Sequence, residues 1–265
     1  MAQFRIMSMM MTQELHITSV GQGRDLVLLH GWGLNSAAWQ GVLPLLEPYF
    51  TVHLIDLPGF GDSPPLAEHN LKALAHAVLA KAPKEAVWVG WSLGGLVATQ
   101  AALLEPERVR RLVTVASSPK FAQTQNWPGI APKVLEQFIV SLAGDFKTTI
   151  ERFLAIQAMG SESARQDIKA LKGWLGEKPL PDQRALHDGL MILQHDDLRS
   201  QLASLDMPFL AMYGKLDGLV PIATANEVAK LAPECEIYVL DKSSHAPFVT
   251  DKEQFCAQLI HFCLV

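Results

Sequence analysis

Short apolar runs alternate with helix-period stripes through the first half of the chain. Runs at Leu15–Val20, Leu26–Leu29, Thr51–Ile55, Ala86–Val89 and Leu112–Val115 predict strands, and the patterns at Ser36–Leu46, Leu71–Ala82 and Leu93–Leu104 predict helices between them. Leu26–Leu29 and Leu112–Val115 are nearly continuous in apolar character, which fits strands buried on both faces of a parallel sheet. After Ser117-Ser118-Pro119 the rhythm changes. From about Phe121 to Arg199 the pattern is helical, punctuated by Pro132, Gly144, Gly160, Gly176, Pro179 and Pro181. Strands return at Phe209–Tyr213 and Glu236–Leu240, with helices near Ile222–Leu231 and from Lys252 toward Val265. The expectation is an α/β fold with a mostly parallel central sheet flanked by helices. Residues 1–120 and 200–265 form its core, and a helical insertion occupies 121–199.

Composition limits what such a fold does. At 265 residues and 49% apolar content, one α/β domain buries roughly three quarters of its unfolded surface, so neither a metal nor a disulfide is needed to hold it. The net charge of −5 is spread without blocks of like sign, which argues against a nucleic-acid partner. No stretch approaches eighteen apolar residues, and Met1–Met11 has neither an extended apolar run nor a small-residue cleavage site, so no membrane segment or signal peptide is expected. Cys235, Cys256 and Cys263 are odd in number and lack Cys-x-x-Cys spacing, which reads as reduced thiols in a cytoplasmic protein. A monomer is expected.

The strongest chemical signal is Gly90-Trp91-Ser92-Leu93-Gly94, directly after one predicted strand and directly before a helix. That context is a nucleophile elbow: a sharp turn presents the serine, and glycines on either side leave room for neighbouring backbone. The short pattern also arises by chance in glycine-containing chains, and the flanking elements are what distinguish the two readings. A serine hydroxyl becomes a nucleophile only when a histidine takes its proton, and a carboxylate must hold that histidine. In this fold the expected chain order is serine, acid, histidine, each at the carboxyl end of a strand. Asp217 follows Phe209–Tyr213 at the correct end, whereas Asp206 precedes that strand, and His245 falls in the loop after Glu236–Leu240. A turn-forming role for an Asp before Gly218 remains the plainer alternative.

An oxyanion needs two preorganised N–H donors. Leu93 follows the nucleophile, and Trp32 lies in His30-Gly31-Trp32-Gly33 after Leu26–Leu29, so their backbone N–H groups are the candidates. His30 fits a hydrogen bond that fixes the turn, while the Trp32 side chain either packs on the insertion or also lines an acyl site. There is no His-Glu-x-x-His or Cys/His cluster for a metal, and no dinucleotide or Walker glycine pattern, so no cofactor is expected.

His30–Gly33, the Asp56–Ser63 segment Asp-Leu-Pro-Gly-Phe-Gly-Asp-Ser, the Ser92 elbow, Asp217 and His245 together resemble the α/β-hydrolase superfamily across nearly the whole chain. A closer resemblance is to the BioH family, the pimeloyl-acyl-carrier-protein methyl ester esterases of biotin synthesis. It runs through His30–Asn35, Gly90–Ala98, Val115–Pro119, Asn126–Ile130 and Leu216–Pro221. The resemblance implies a serine carboxylesterase whose helical lid follows the sixth strand and which releases methanol from a pimeloyl chain carried by acyl-carrier protein. It also implies an acyl site at Trp32, Ser92, Leu93, Phe153 and Gln157, and carrier-protein contacts at Arg152, Arg165 and Lys169. Phe153 and Gln157 share a helix face, where ordinary packing would look the same. Residues 147–172 hold five basic and three acidic side chains, an excess of two, and Lys147 and Lys169 stand where arginine is usual in the family. A general short-chain carboxylesterase, a lactone or C–C bond hydrolase, and a ligand-binding protein on the same fold remain open. Epoxide and haloalkane hydrolases carry Asp in place of Ser92.

Overall fold

A computed structural model describes residues 14–265. The expectations for Met1–Met11 lie outside the described residues. Seven strands form one sheet: β1 Ile17–Gly21, β2 Arg24–Leu29, β3 Phe50–Ile55, β4 Ala86–Trp91, β5 Val109–Val115, β6 Phe209–Gly214 and β7 Glu236–Leu240. Their order is β1-β3-β2-β4-β5-β6-β7, with β1 antiparallel to β3 and every other neighbouring pair parallel. β4 and β6 are buried at all six positions, as strands covered on both faces must be. The helix Leu93–Leu104, apolar nearly all round, is buried at ten of its twelve residues. Parallel pairing aims the carboxyl ends of β2, β4, β6 and β7 at one rim, where all the candidate site loops emerge.

Two segments differ from the sequence expectation. Ser36–Leu46 is not one helix but a 3-10 turn, Ser36–Val42, followed by the short helix Leu43–Leu46. Pro44 has no N–H to return to Gln40, so a continuous α-helical ladder cannot cross it. Residues 121–131 are not helical either. Isolated bridges Ala122–Ile130 and Thr124–Trp127 close a loop, and the Trp127 indole donates to Lys120 O at 2.8 Å.

Four helices then lie between β5 and β6: Pro132–Gly144, Phe146–Gln157, Ala164–Leu175 and Gln183–His195. The helical segment therefore follows the fifth strand, not the sixth that the family resemblance led us to expect. Only five extended segments precede it among the described residues. Asp145 and Asp182 cap two of these helices, accepting from Thr148 N and Ala185 N at 3.0 Å.

Candidate active site

Ser92 sits between β4 and the helix Leu93–Leu104 with φ 54° and ψ −117°. A non-glycine residue reaches that left-handed φ only when its surroundings over-determine it. They do so here. A Cβ on Gly90 would lie 2.2 Å from Gly94 O, and one on Gly94 would lie 2.5 Å from Leu29 O, so only glycine lets the helix start this close to the strands. Ser92 N donates to Val115 O at 2.9 Å, and Ser117 Oγ donates to Ser92 O at 2.8 Å, fixing the elbow from the β5 side.

The β6 and β7 loops bring the two partners to the same rim. His245 Nε2 lies 2.9 Å from Ser92 Oγ, and His245 Nδ1 lies 2.8 Å from Asp217 Oδ2. The other oxygen of Asp217 accepts from Leu219 N and Val220 N at 2.8 and 2.9 Å, so the carboxylate is oriented by its own loop. The peptide of His245 is held on both sides: its N–H donates to Gln157 O at 3.0 Å, and its carbonyl accepts the Trp91 indole at 2.7 Å. With Nδ1–H directed to Asp217, Nε2 faces Ser92 as an acceptor, which is the tautomer a general base needs.

Two backbone N–H groups belong to residues next to Ser92 in the chain or in the fold: Leu93 follows it, and Gly31, before Trp32, packs so close that a Cβ there would lie 3.2 Å from Ser92 Cβ. Leu93 opens its helix, so its N–H has no intrahelical acceptor. Trp32 N has no acceptor among the described residues. The loop carrying Trp32 is fixed from behind by His30, whose Nδ1–H donates to Gly31 O at 2.8 Å while Nε2 accepts from Leu57 N at 3.0 Å. Burial lowers the His30 pKa, in keeping with a neutral ring that uses one nitrogen as donor and the other as acceptor. Histidine, carboxylate, serine and two free N–H groups make an arrangement suited to acyl transfer.

Residues 26–252 match the family model described as the α/β hydrolase fold. The chain belongs to the α/β-hydrolase family. Pimeloyl-acyl-carrier-protein methyl ester esterase of Vibrio vulnificus (strain YJ016) is 53% identical over 252 residues, covering 95% of this chain and 99% of that protein. Its counterpart from Aeromonas hydrophila is 54% identical over 244 residues, covering 91% and 96%. Among solved structures, an esterase from Exiguobacterium antarcticum superposes with a TM-score of 0.82 at 21% identity, covering 94% of each chain. An enol-lactonase from Burkholderia xenovorans LB400 superposes at 0.83 with 18% identity, covering 95% and 96%. Those two likenesses concern the fold, which carries many reactions.

In this α/β hydrolase the inserted helices close over the serine. Ser92 and His245 are 1% and 0% exposed. A surface cavity of 570 Å³, lined in part by Arg24, Ala86 and Arg111, lies at the opposite end of the sheet, where strands begin. Phe153 meets the Trp32 indole edge-on at 4.7 Å and Phe138 at 5.5 Å. Gln157 is fully buried, and neither its side-chain nitrogen nor its oxygen has a partner among the described residues. An amide desolvated in this way costs free energy until something hydrogen-bonds it. Arg152, Arg165 and Lys169 are exposed, and none has a carboxylate within ion-pair distance among the described residues, whereas Lys172 pairs with Glu151 at 2.9 Å.

One tie between insertion and core escaped the sequence reading. Asp56, fully buried, accepts from Ser36 N at 2.8 Å and Asp62 N at 3.0 Å, and Lys178 Nζ lies 2.8 Å from it and 3.1 Å from Asp62. His16, Asp56 and Asp62 cluster closely enough to hold a cation, and the Lys178 ammonium fills that role. Burial raises the Asp56 carboxyl, but the Lys178 ammonium and the two backbone donors stabilise its charged form and hold it below the ordinary carboxylate range. Lys178→Met is expected to cost about 3 kcal/mol at pH 7, because it leaves a buried carboxylate without its counter-charge. A depressed folded pKa adds stability above the unfolded value near 3.9 and loses it as the pH falls through the folded one. The gap between wild type and variant should therefore narrow by pH 3. Urea unfolding at the two pH values measures it, and a gap independent of pH would show that Asp56 does not draw on Lys178.

Proposed function

We propose that this chain is a serine carboxylesterase of biotin synthesis that hydrolyses the methyl ester of pimeloyl-acyl-carrier protein, giving the free pimeloyl carboxylate on its carrier and methanol. The observation that carries the reading is the unbroken Asp217–His245–Ser92 relay at 2.8 and 2.9 Å. Near-full-length identity above 50% to esterases named for this substrate supports its extension to the pimeloyl ester.

In this mechanism His245 Nε2 takes the Ser92 proton as Oγ attacks the ester carbonyl, and the Trp32 and Leu93 N–H groups bind the oxyanion. The tetrahedral adduct collapses as His245 returns the proton to the methoxide oxygen, and methanol leaves. Water then loses a proton to His245 and attacks the acyl-enzyme, releasing the carboxylate and regenerating Ser92. Residues 121–199 act as a lid on the core formed by 14–120 and 200–265, the described part of that core. Trp32 and Phe153 form an aromatic wall for the acyl chain, and the unpartnered Gln157 amide takes up a polar group of the substrate. Arg152, Arg165 and Lys169 receive the acidic carrier and its phosphate arm, each as an exposed cation with no carboxylate at ion-pair distance among the described residues. The enzyme works as a cytoplasmic monomer without nucleic acid. Its three buried cysteines, pushed up to about 12 by burial, stay protonated bystanders.

Methanol release from the carrier-linked methyl ester, compared with hydrolysis of small aryl esters, tests the substrate. The expected result is a higher kcat/KM on the carrier-linked ester. Combined Arg152→Glu and Arg165→Glu substitution should lower that value about 10-fold or more through KM and leave the aryl ester rate unchanged. Equal losses on both esters would remove the carrier-binding role, and a preference for free aryl esters would favour a general carboxylesterase.

A further inference from the structure

Glycine inside a helix is destabilising relative to alanine, so an interior glycine calls for a reason. The inserted helices contain two. At Gly173, in Ala164–Leu175, a Cβ would meet nothing within 4 Å. At Gly189, in Gln183–His195, it would lie 2.7 Å from Trp32 Cδ1, 3.1 Å from Trp32 Nε1 and 3.5 Å from Leu93 Cδ2. Gly189 thus faces the side chains of Trp32 and Leu93, the two residues proposed above as oxyanion donors. One turn earlier on the same helix, Leu186 O accepts the Trp32 indole N–H at 2.8 Å.

The core loop holds the Gly31–Trp32 peptide at its carbonyl, which accepts from His30 Nδ1 at 2.8 Å and from Leu34 N at 3.4 Å, and leaves its N–H without a partner among the described residues. Trp32 stands between Gly31 and Gly33, the latter at φ +77°, and backbone flanked by two glycines is permissive. The indole is rigid and has two torsions. With its N–H fixed to Leu186 O and its ring resting on Phe153, the indole anchors Trp32 from the side-chain end as well, so a displaced indole pulls on that peptide. A methyl group 2.7 Å from a ring carbon has no flexible end to push aside, so either the helix or the indole must move.

We propose that Gly189 is a positioning residue for the oxyanion hole: its missing side chain lets the helix Gln183–His195 brace Trp32 and so aim the Trp32 N–H at the reacting carbonyl. The inference rests on the serine-esterase reading above and adds that the hole is completed by the insertion rather than by the core alone.

The test measures steady-state hydrolysis of p-nitrophenyl butyrate by the full chain, with Ser92→Ala as the blank. Gly189→Ala is expected to lower kcat about 10–100-fold, short of the full loss of one oxyanion donor, with KM nearly unchanged. Its melting temperature should stay within a few degrees of wild type. Gly173→Ala should keep wild-type kcat and melt slightly higher. With Trp32→Ala, the indole that the methyl would strike is gone, so the double variant should be no slower than Trp32→Ala alone. Hydrogen exchange of the Trp32 indole N–H gives a second readout: slow in wild type, fast in Gly189→Ala. This readout decides the case when Trp32→Ala turns over no faster than the blank.

Wild-type kcat in Gly189→Ala, a loss carried by KM or by a collapsed melting temperature, additive losses in the double variant, or an indole N–H still protected in Gly189→Ala would each overturn the proposal. Wild-type turnover no faster than the blank would remove the esterase reading and this inference with it, whereas the other failures leave that reading standing.

Discussion

Ser92→Ala is expected to lower kcat on the carrier-linked methyl ester by about 10⁶-fold while KM changes little. Ser92 Oγ is the hydroxyl that His245 Nε2 faces at 2.9 Å, and water is a poor substitute because it is not held at the elbow. The variant should fold. Serine and alanine both carry a Cβ, so alanine meets the same strain at φ 54°, and the glycines that shape the turn are untouched. The N–H pair stays in place as well, so a residual acceleration of about 10³–10⁴ over water should persist. Methanol release under single-turnover conditions measures the loss. A fluorophosphonate probe gives an independent readout, labelling wild type at Ser92 and leaving the variant unlabelled. Turnover within tenfold of wild type would remove Ser92 as the nucleophile and, with it, the proposed mechanism.

What could be read from the sequence is what leaves a local or periodic trace. The elbow is legible because its constraint is spelled within five residues: Gly90 and Gly94 stand where a Cβ would meet Gly94 O and Leu29 O. Asp217 and His245 stand out because each follows a recognisable apolar strand at its carboxyl end, and the parallel pairing of β4, β5, β6 and β7 gathers those ends at one rim. The sheet is legible for the same reason, since β4 and β6 need continuous apolar runs to be buried on both faces. Contacts made once between distant residues leave no such trace. Lys178 looks like any loop lysine until it meets Asp56, 122 residues away. Gly189 reads as a weak spot in a helix until Trp32 is brought against it, and nothing in a single chain announces that Gln157 O receives the His245 N–H. The place of the inserted helices after the fifth strand departs from the family pattern, and among the described residues five strands, matching the five apolar runs of the sequence, precede residue 121.

Asp217→Asn, nearly isosteric, separates orientation from charge and is expected to cost about 10⁴-fold in kcat at neutral pH. Asp217 Oδ1 accepts two backbone N–H groups, from Leu219 and Val220, which an amide NH₂ cannot do. Asparagine must therefore keep its carbonyl oxygen at that position, and its NH₂ falls where Oδ2 now faces His245 Nδ1. Two donors cannot share that contact, so Nδ1 must become the acceptor and the proton moves to Nε2. Nε2–H then points at Ser92 Oγ and donates to the hydroxyl whose proton it ought to take. The same change removes the negative charge that stabilises the imidazolium formed during attack. Because Oδ1, the Leu219 and Val220 donors and the packing around a fully buried side chain are all preserved, melting temperature should change far less than rate. High pH is expected to restore part of kcat, as hydroxide or a deprotonated serine bypasses the base, whereas wild type should show a plateau. A loss below tenfold would mean that His245 is oriented by its own peptide, through Gln157 O and the Trp91 indole, without help from Asp217.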